Sequence, residues 1–105
     1  MEMGTPTTDN PILVLSFNFS NQIIKFIDSN SWGNKFVLSN QLLKSATSIG
    51  ANIREAQSAE SKNDFIHKIK IASKEAEETE YWLLILQEIG MDTKLLLSDL
   101  LVIKK

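Results

Sequence analysis

The stretch Gln41 to Ile89, QLLKSATSIGANIREAQSAESKNDFIHKIKIASKEAEETEYWLLILQEI, decides the fold. Leu38, Leu42, Ala46, Ile49, Ile53 and Ala56 recur every three or four residues, which places them along one face of a helix from about Lys35 to Ala59. After a break at Ser58 to Lys62, the same period returns in Phe65, Ile69, Ala72, Ala76, Thr79, Leu83 and Leu86. Ser61 is placed to cap this second helix, and Asp64, three residues on, completes a capping box. A further stripe, Ile71, Glu75, Glu78, Trp82, Ile85 and Ile89, sits roughly 100° around from the first. Gly90 suits the residue just past the helix end.

Working outward, Asp9 or Asn10 can cap an earlier helix, with Pro11 in its first turn. Ile12, Leu15, Phe19, Ile23 and Phe26 form one stripe, and Leu13, Phe17 and Ile24 a second. The only charge between Pro11 and Ile27 is Lys25. A helix apolar on two sides has to bury both, and a chain this small has room for one, so the second stripe predicts self-association. Trp82, Ile85 and Ile89 are the matching candidates on the later helix, Trp82 as an anchor or as core filling. Residues 1–8 read as a disordered tail. The SNSWGN segment, residues 29–34, reads as a loop whose Trp32 either covers the end of the molecule or reaches a neighbour. Past Gly90, Asp92 can cap a short fourth helix in which Leu95, Leu96, Leu97, Leu100, Leu101 and Ile103 are apolar. Four helices with short connections predict an all-α, up-down-up-down four-helix bundle over residues 9–105.

The composition is that of an ordinary globular chain: 105 residues, 43% hydrophobic and 23% charged. No apolar run is long enough for a membrane span, and the start lacks the pattern of a signal peptide. Without cysteine there are no disulfides or thiolate metal sites, and a cytoplasmic address is expected. A net charge of −2 gives no whole-surface attraction to nucleic acid.

Several constellations bear on function. Gln41, Ser45, Ser48, Asn52 and Glu55 make a polar file beside the apolar stripe, which reads as a hydrogen-bond network with Glu78 or as an ordinary wet face. Arg54 can pair with Glu78 or Glu80 across a subunit boundary. Lys62, His67, Lys68, Lys70 and Lys74 scatter around their helix, and Asp64, Glu77 and Glu78 stand at pairing distance in sequence. If an assembly concentrates positive charge at one rim, Lys35, Lys44, Arg54, Lys70 and Lys74 are the residues that would meet nucleic acid. Asp64 and His67 resemble half of a bundle metal site, but His67 is the only histidine, so no metal or other cofactor is expected. The paired glutamates lack any accompanying nucleophile or phosphate loop, and the expectation is a protein without catalysis.

The motifs on these two central helices carry a resemblance. Gln41, Lys44, Ala46, Ser48-Ile49, Asn52-Ile53 and Glu55 are followed by Ser61, Asp64, Phe65, Ile71-Ala72, Glu78 and Glu80. In order and spacing this resembles the bacterial four-helix-bundle proteins encoded within intervening sequences of 23S ribosomal RNA genes. Arg54, Ala56 and the Lys74-Glu75 pair depart from that pattern, which usually has small residues there. The resemblance implies a ring-like homopentamer without established catalysis. The chain is similar, too, to the accessory variability protein of diversity-generating retroelements, which implies a partner that is nucleic acid or protein.

Overall fold

The computed structural model describes residues 10–104, and these form four α-helices with no strand among the described residues. The helices are α1 (Pro11–Asp28), α2 (Phe36–Ala56), α3 (Lys62–Glu88) and α4 (Lys94–Lys104), with a single 3-10 turn at Gly33–Lys35 before α2. The expected tail, residues 1–8, lies outside the described residues. Each helix packs on the next and α4 returns to α1, while α1 and α3 stay apart across the diagonal. Thr79 meets Ser45 while Lys68 meets Glu55, so α2 and α3 run antiparallel. Lys104 reaches Glu77 while Thr93 reaches Leu83, so α3 and α4 do too.

The helix ends follow local chemistry. Asn10 caps α1, its side-chain oxygen accepting from the Ile12 amide at 3.3 Å, and Pro11 takes the first helical position. Ser61 caps α3 by accepting from Asp64 N at 3.0 Å, and the Asp64 carboxylate accepts in return from Glu60 N at 3.3 Å. α2 ends at Ala56 rather than Ala59, because the amides of Ser58 and Ala59 turn back to carbonyls three residues behind, of Glu55 and Ala56, and tighten the chain out of the α form. Gly90, at φ +105°, lets Met91 N bond to Leu86 O and Gly90 N to Gln87 O, a paired closure that only a left-handed residue permits.

The core is Phe19 and Ile23 of α1, Leu42, Ala46, Ile49 and Ile53 of α2, Ala72, Ala76, Leu83 and Leu86 of α3, and Leu96, Leu100 and Ile103 of α4. Three residues expected inside are exposed: Leu15, Phe65 and Ile69. For the last two the reason is coverage. α3 extends for about 40 Å and the described part of α4, as far as Lys104, for about 16 Å; Lys104 stands beside Glu77, so no described residue of α4 lies over the opening turns of α3. A cavity of about 500 Å³ opens there between Ile12, Ile49, Ile53, Ile69, Ala72 and Ile103. For Leu15 the reason is rotation. α1 turns Ser16, not Leu15, to α2, where Gly50 lets the backbones close: a Cβ on Gly50 would stand 3.4 Å from Ser16 O. Ser16 tolerates burial because its hydroxyl donates to Ile12 O at 2.7 Å.

Candidate functional site

The polar residues of the sequence gather along the α2–α3 seam. Thr79, fully buried, places Oγ1 3.0 Å from Ser45 Oγ and 2.8 Å from Glu75 O. Ser45 Oγ in turn lies 3.3 Å from Leu42 O. Gln41, Ser48 and Asn52 are half-buried, and the Asn52 amide donates to Ser48 O at 2.8 Å within α2. Glu55 leaves the file and takes Lys68 of α3 at 3.0 Å. No hydrogen bond among the described residues joins two side chains of the set Gln41, Ser45, Ser48, Asn52, Glu55 and Glu78; where these residues bond, they bond to backbone or to residues outside it.

Beside the Ser45–Thr79 contact stands a carboxylate with no donor. Glu75 is half-buried, and its Oε2 is shut from solvent without any hydrogen bond. Burial pushes its carboxyl above the ordinary range and the neighbouring Glu78 pushes the same way; Lys44 and Lys74 oppose through space but form no ion pair with it. Glu78 is held in place by the Trp82 indole, whose N–H donates to Oε2 at 3.2 Å, and Tyr81 meets Trp82 edge to face at 5.3 Å.

The apolar candidates divide between two faces. Leu13 and Phe17 are half-buried and line a groove of about 260 Å³ between α1 and α2, with Ser16, Gly50, Ala51 and Arg54. Ile24 lies further along α1, 41% exposed. Trp82 and Ile85 are half-buried on α3, and Ile89 is 51% exposed. Since α1 and α3 stand diagonally opposite in the bundle, these are two patches, not one. Trp32, by contrast, closes its own chain: its indole N–H donates to Ile27 O at 2.8 Å and its ring stands edge-on to Phe26.

The five candidate cations, Lys35, Lys44, Arg54, Lys70 and Lys74, are all exposed; Lys70 and Lys74 stand one turn apart on α3, and Lys44 and Lys74 are both close enough to Glu75 to act on it. Arg54 faces the α1–α2 groove and makes no ion pair among the described residues. The pairings expected along α3 are replaced by pairings between helices. Lys68 goes to Glu55 rather than Asp64, and Glu77 goes to Lys104 rather than Lys74, because a carboxylate on a facing helix reaches the ammonium as easily and Asp64 is engaged in capping. Glu55 raises the pKa of Lys68, chiefly through the hydrogen bond, and Glu77 with Glu80 does the same for Lys104. His67 is exposed, and no cluster of three His, Asp or Glu side chains suits a metal among the described residues. No described helix is long and apolar enough to cross a membrane.

A lock around Thr93 was not foreseen from the sequence. Gln87 Oε1 accepts from Thr93 N at 2.9 Å and lies 2.8 Å from Thr93 Oγ1, which is also 2.9 Å from Leu83 O. The Asp92 carboxylate accepts from Lys94 N at 3.2 Å, so two adjacent residues share the start of α4. The available signal was a threonine immediately ahead of an apolar helix, a residue type that caps.

The sequence model of the family described as 23S rRNA-intervening sequence protein matches residues 8–101. Among solved structures, a protein of unknown function from the S23 ribosomal protein family of Bacteroides thetaiotaomicron VPI-5482 superposes with a TM-score of 0.80. It is 42% identical in sequence, over 89% of this chain and 91% of that one. No curated protein matches the chain.

Proposed function

This chain belongs to the 23S rRNA-intervening sequence protein family, and on that premise we propose that it is a non-enzymatic helical scaffold whose copies assemble into a ring and present a surface to a partner. The observation that carries the reading is the apolar surface left on two separate faces: Ile24 beside the α1–α2 groove, and on α3 Ile89 together with the half-buried Trp82 and Ile85. Exposed apolar patches of this kind on a small chain mark contacts with another macromolecule. A pentamer is the assembly the family resemblance points to, and a cytoplasmic address accords with a cysteine-free chain.

Light scattering on the purified protein tests this. The expected mass is a multiple of 11.8 kDa at micromolar concentration. Phe17→Asp, which puts a charge into the α1–α2 groove, is expected to return it to a single chain. A parent protein that scatters as one chain overturns the assembly.

A second reading, a nucleic-acid-binding accessory factor, draws on the exposure of Lys35, Lys44, Arg54, Lys70 and Lys74. In a ring Arg54 and Lys70, which lie at the same end of the bundle, would be repeated around one rim, while Lys35 lies at the other end of α2. The scaffold reading expects RNA and DNA probes to migrate unchanged at near-physiological salt. A nucleic-acid factor would retard them, release them steeply as salt rises, and bind more weakly as the Lys44→Glu variant.

A further inference from the structure

We infer that the Glu75–Glu78 carboxylates and the Trp82–Ile85–Ile89 ridge of one copy seat in the α1–α2 groove of a second copy, with Arg54 of that groove on the two carboxylates. The inference rests on the assembly reading above and adds the register, the polarity and the charge pair that fix it.

Three observations converge. The first is charge complementarity between the Glu75–Glu78 pair on one face and the exposed guanidinium of Arg54 on another. Glu75 Oε2 is buried without a hydrogen bond, and Glu78 is held next to it by Trp82. Arg54 is exposed and without an ion pair among the described residues. A buried acceptor left alone is rare in folded proteins, and a guanidinium can serve two carboxylates at once through its fork of N–H groups. Within one chain the two cannot meet. Glu55 pairs with Lys68 and Ser45 with Thr79, which sets Arg54 level with residues 69–70 of α3, roughly six helical residues from Glu75 and nine from Glu78, on the order of 10 Å along the axis.

The second is spacing. Glu78, Trp82, Ile85 and Ile89 follow one another on α3 at intervals of four, three and four, and so do Leu13, Phe17, Ser20 and Ile24 on α1. When Glu78 stands at the Leu13 and Arg54 end of the groove, Trp82 falls at Phe17 and Gly50, Ile85 at Ser20 and Thr47, and Ile89 at Ile24. The groove is open there because Ser16, Gly50 and Ala51 are small.

The third is direction. In that register α3 of one copy runs parallel to α1 of the other. A cyclic assembly about an axis along the bundle keeps each helix direction from copy to copy, and α1 and α3 already point the same way within the chain, since α1 and α3 each run antiparallel to α2. The two patches lie on different faces of the chain, so the contact is head to tail, the kind that closes rings rather than two-fold pairs.

The chain has no cysteine, which makes disulfide trapping a clean test. The variant carrying Arg54→Cys and Glu78→Cys is expected, on mild oxidation, to give a ladder running past the dimer on non-reducing gels, while each single variant, with no thiol across the contact, runs as one chain. In parallel, Arg54→Glu and Glu78→Arg are each expected to lower the scattering mass to that of one chain while helical circular dichroism is retained, and the double variant to restore the parent mass. An assembled parent whose double-cysteine variant yields no ladder, together with single reversals that leave the mass unchanged, overturns this contact and leaves the assembly reading standing. A parent that scatters as one chain overturns both.

Discussion

The hydroxyl of Thr79 lies 3.0 Å from that of Ser45, both closed off from solvent, and this contact stitches α3 to α2 at the middle of the molecule. Each hydroxyl also has a carbonyl of its own helix within reach, Glu75 O at 2.8 Å and Leu42 O at 3.3 Å. One proton serves one acceptor, so whichever hydroxyl donates across the seam, the other can donate to its own backbone. Thr79→Val is therefore expected to cost about 1 kcal/mol, the net worth of an ordinary buried hydrogen bond. Urea unfolding of Thr79→Val, Ser45→Ala and the double variant gives the coupling directly. A double variant whose loss equals the sum of the two singles would show that the hydroxyls do not cooperate.

At the other end of α3, Thr93 is a second dependency. Its hydroxyl is fully buried and sits between Leu83 O and Gln87 Oε1, and its amide uses the same Gln87 oxygen. Thr93→Val keeps the shape and removes the hydroxyl, while Gln87 Oε1 keeps the Thr93 amide, and is expected to cost about 1 kcal/mol. Gln87→Ala also strips the amide of its acceptor. Both variants should speed hydrogen exchange selectively in α4, because this lock is what anchors a helix of only eleven residues. Uniform acceleration across all four helices would show that α4 opens only with the whole molecule.

These two contacts mark how far the sequence alone reaches. The stripes Leu42–Ala56 and Ala72–Leu86 are legible because apolar period and burial coincide, and Ser61, Asp64 and Gly90 are legible because caps are local chemistry. What is not legible depends on which helices face each other and for how long. Thr79 carries the period of the apolar stripe, so its hydroxyl was invisible as a polar link until Ser45 stood across from it. Phe65 and Ile69 carry the same period and remain outside, since no described residue of α4 lies over them. The candidate site follows the same rule. Arg54 and Glu78 can be picked out as charges, but only the fold shows that they lie on separate faces and that Glu75 has a buried oxygen without a donor.

Gly50 offers a test of the close approach between α1 and α2. A Cβ there meets Ser16 O at 3.4 Å, an ordinary contact, while alanine is a better helix former than glycine by about 1 kcal/mol. Gly50→Ala is expected to raise the melting temperature modestly. Gly50→Leu has no such room and should destabilise the chain through separation of α1 from α2. A Gly50→Ala variant less stable than the parent would mean the helices cannot yield even a few tenths of an ångström at Ser16.

Glu75 gives a prediction with a definite sign in pH. Burial, and then Glu78, raise its carboxyl pKa above the ordinary 4.5, against the weaker pull of Lys44 and Lys74. The folded chain therefore holds this proton more tightly than the unfolded one. Stability is lost as pH rises through 4.5 toward the raised folded value, and the loss is complete above it. Glu75→Gln removes the charge, so in the dispersed chain, with Phe17→Asp as background, it should melt higher than its parent at neutral pH. The difference should shrink as the buffer is taken down toward pH 4.5. In the assembled protein the sign changes: with Arg54 of a neighbouring copy on the carboxylate, the charge is an asset and Glu75→Gln weakens the assembly. Differential scanning calorimetry of both backgrounds across this range decides it. A dispersed chain that Glu75→Gln destabilises at neutral pH would mean that Lys44 or Lys74 already satisfies the carboxylate within one copy.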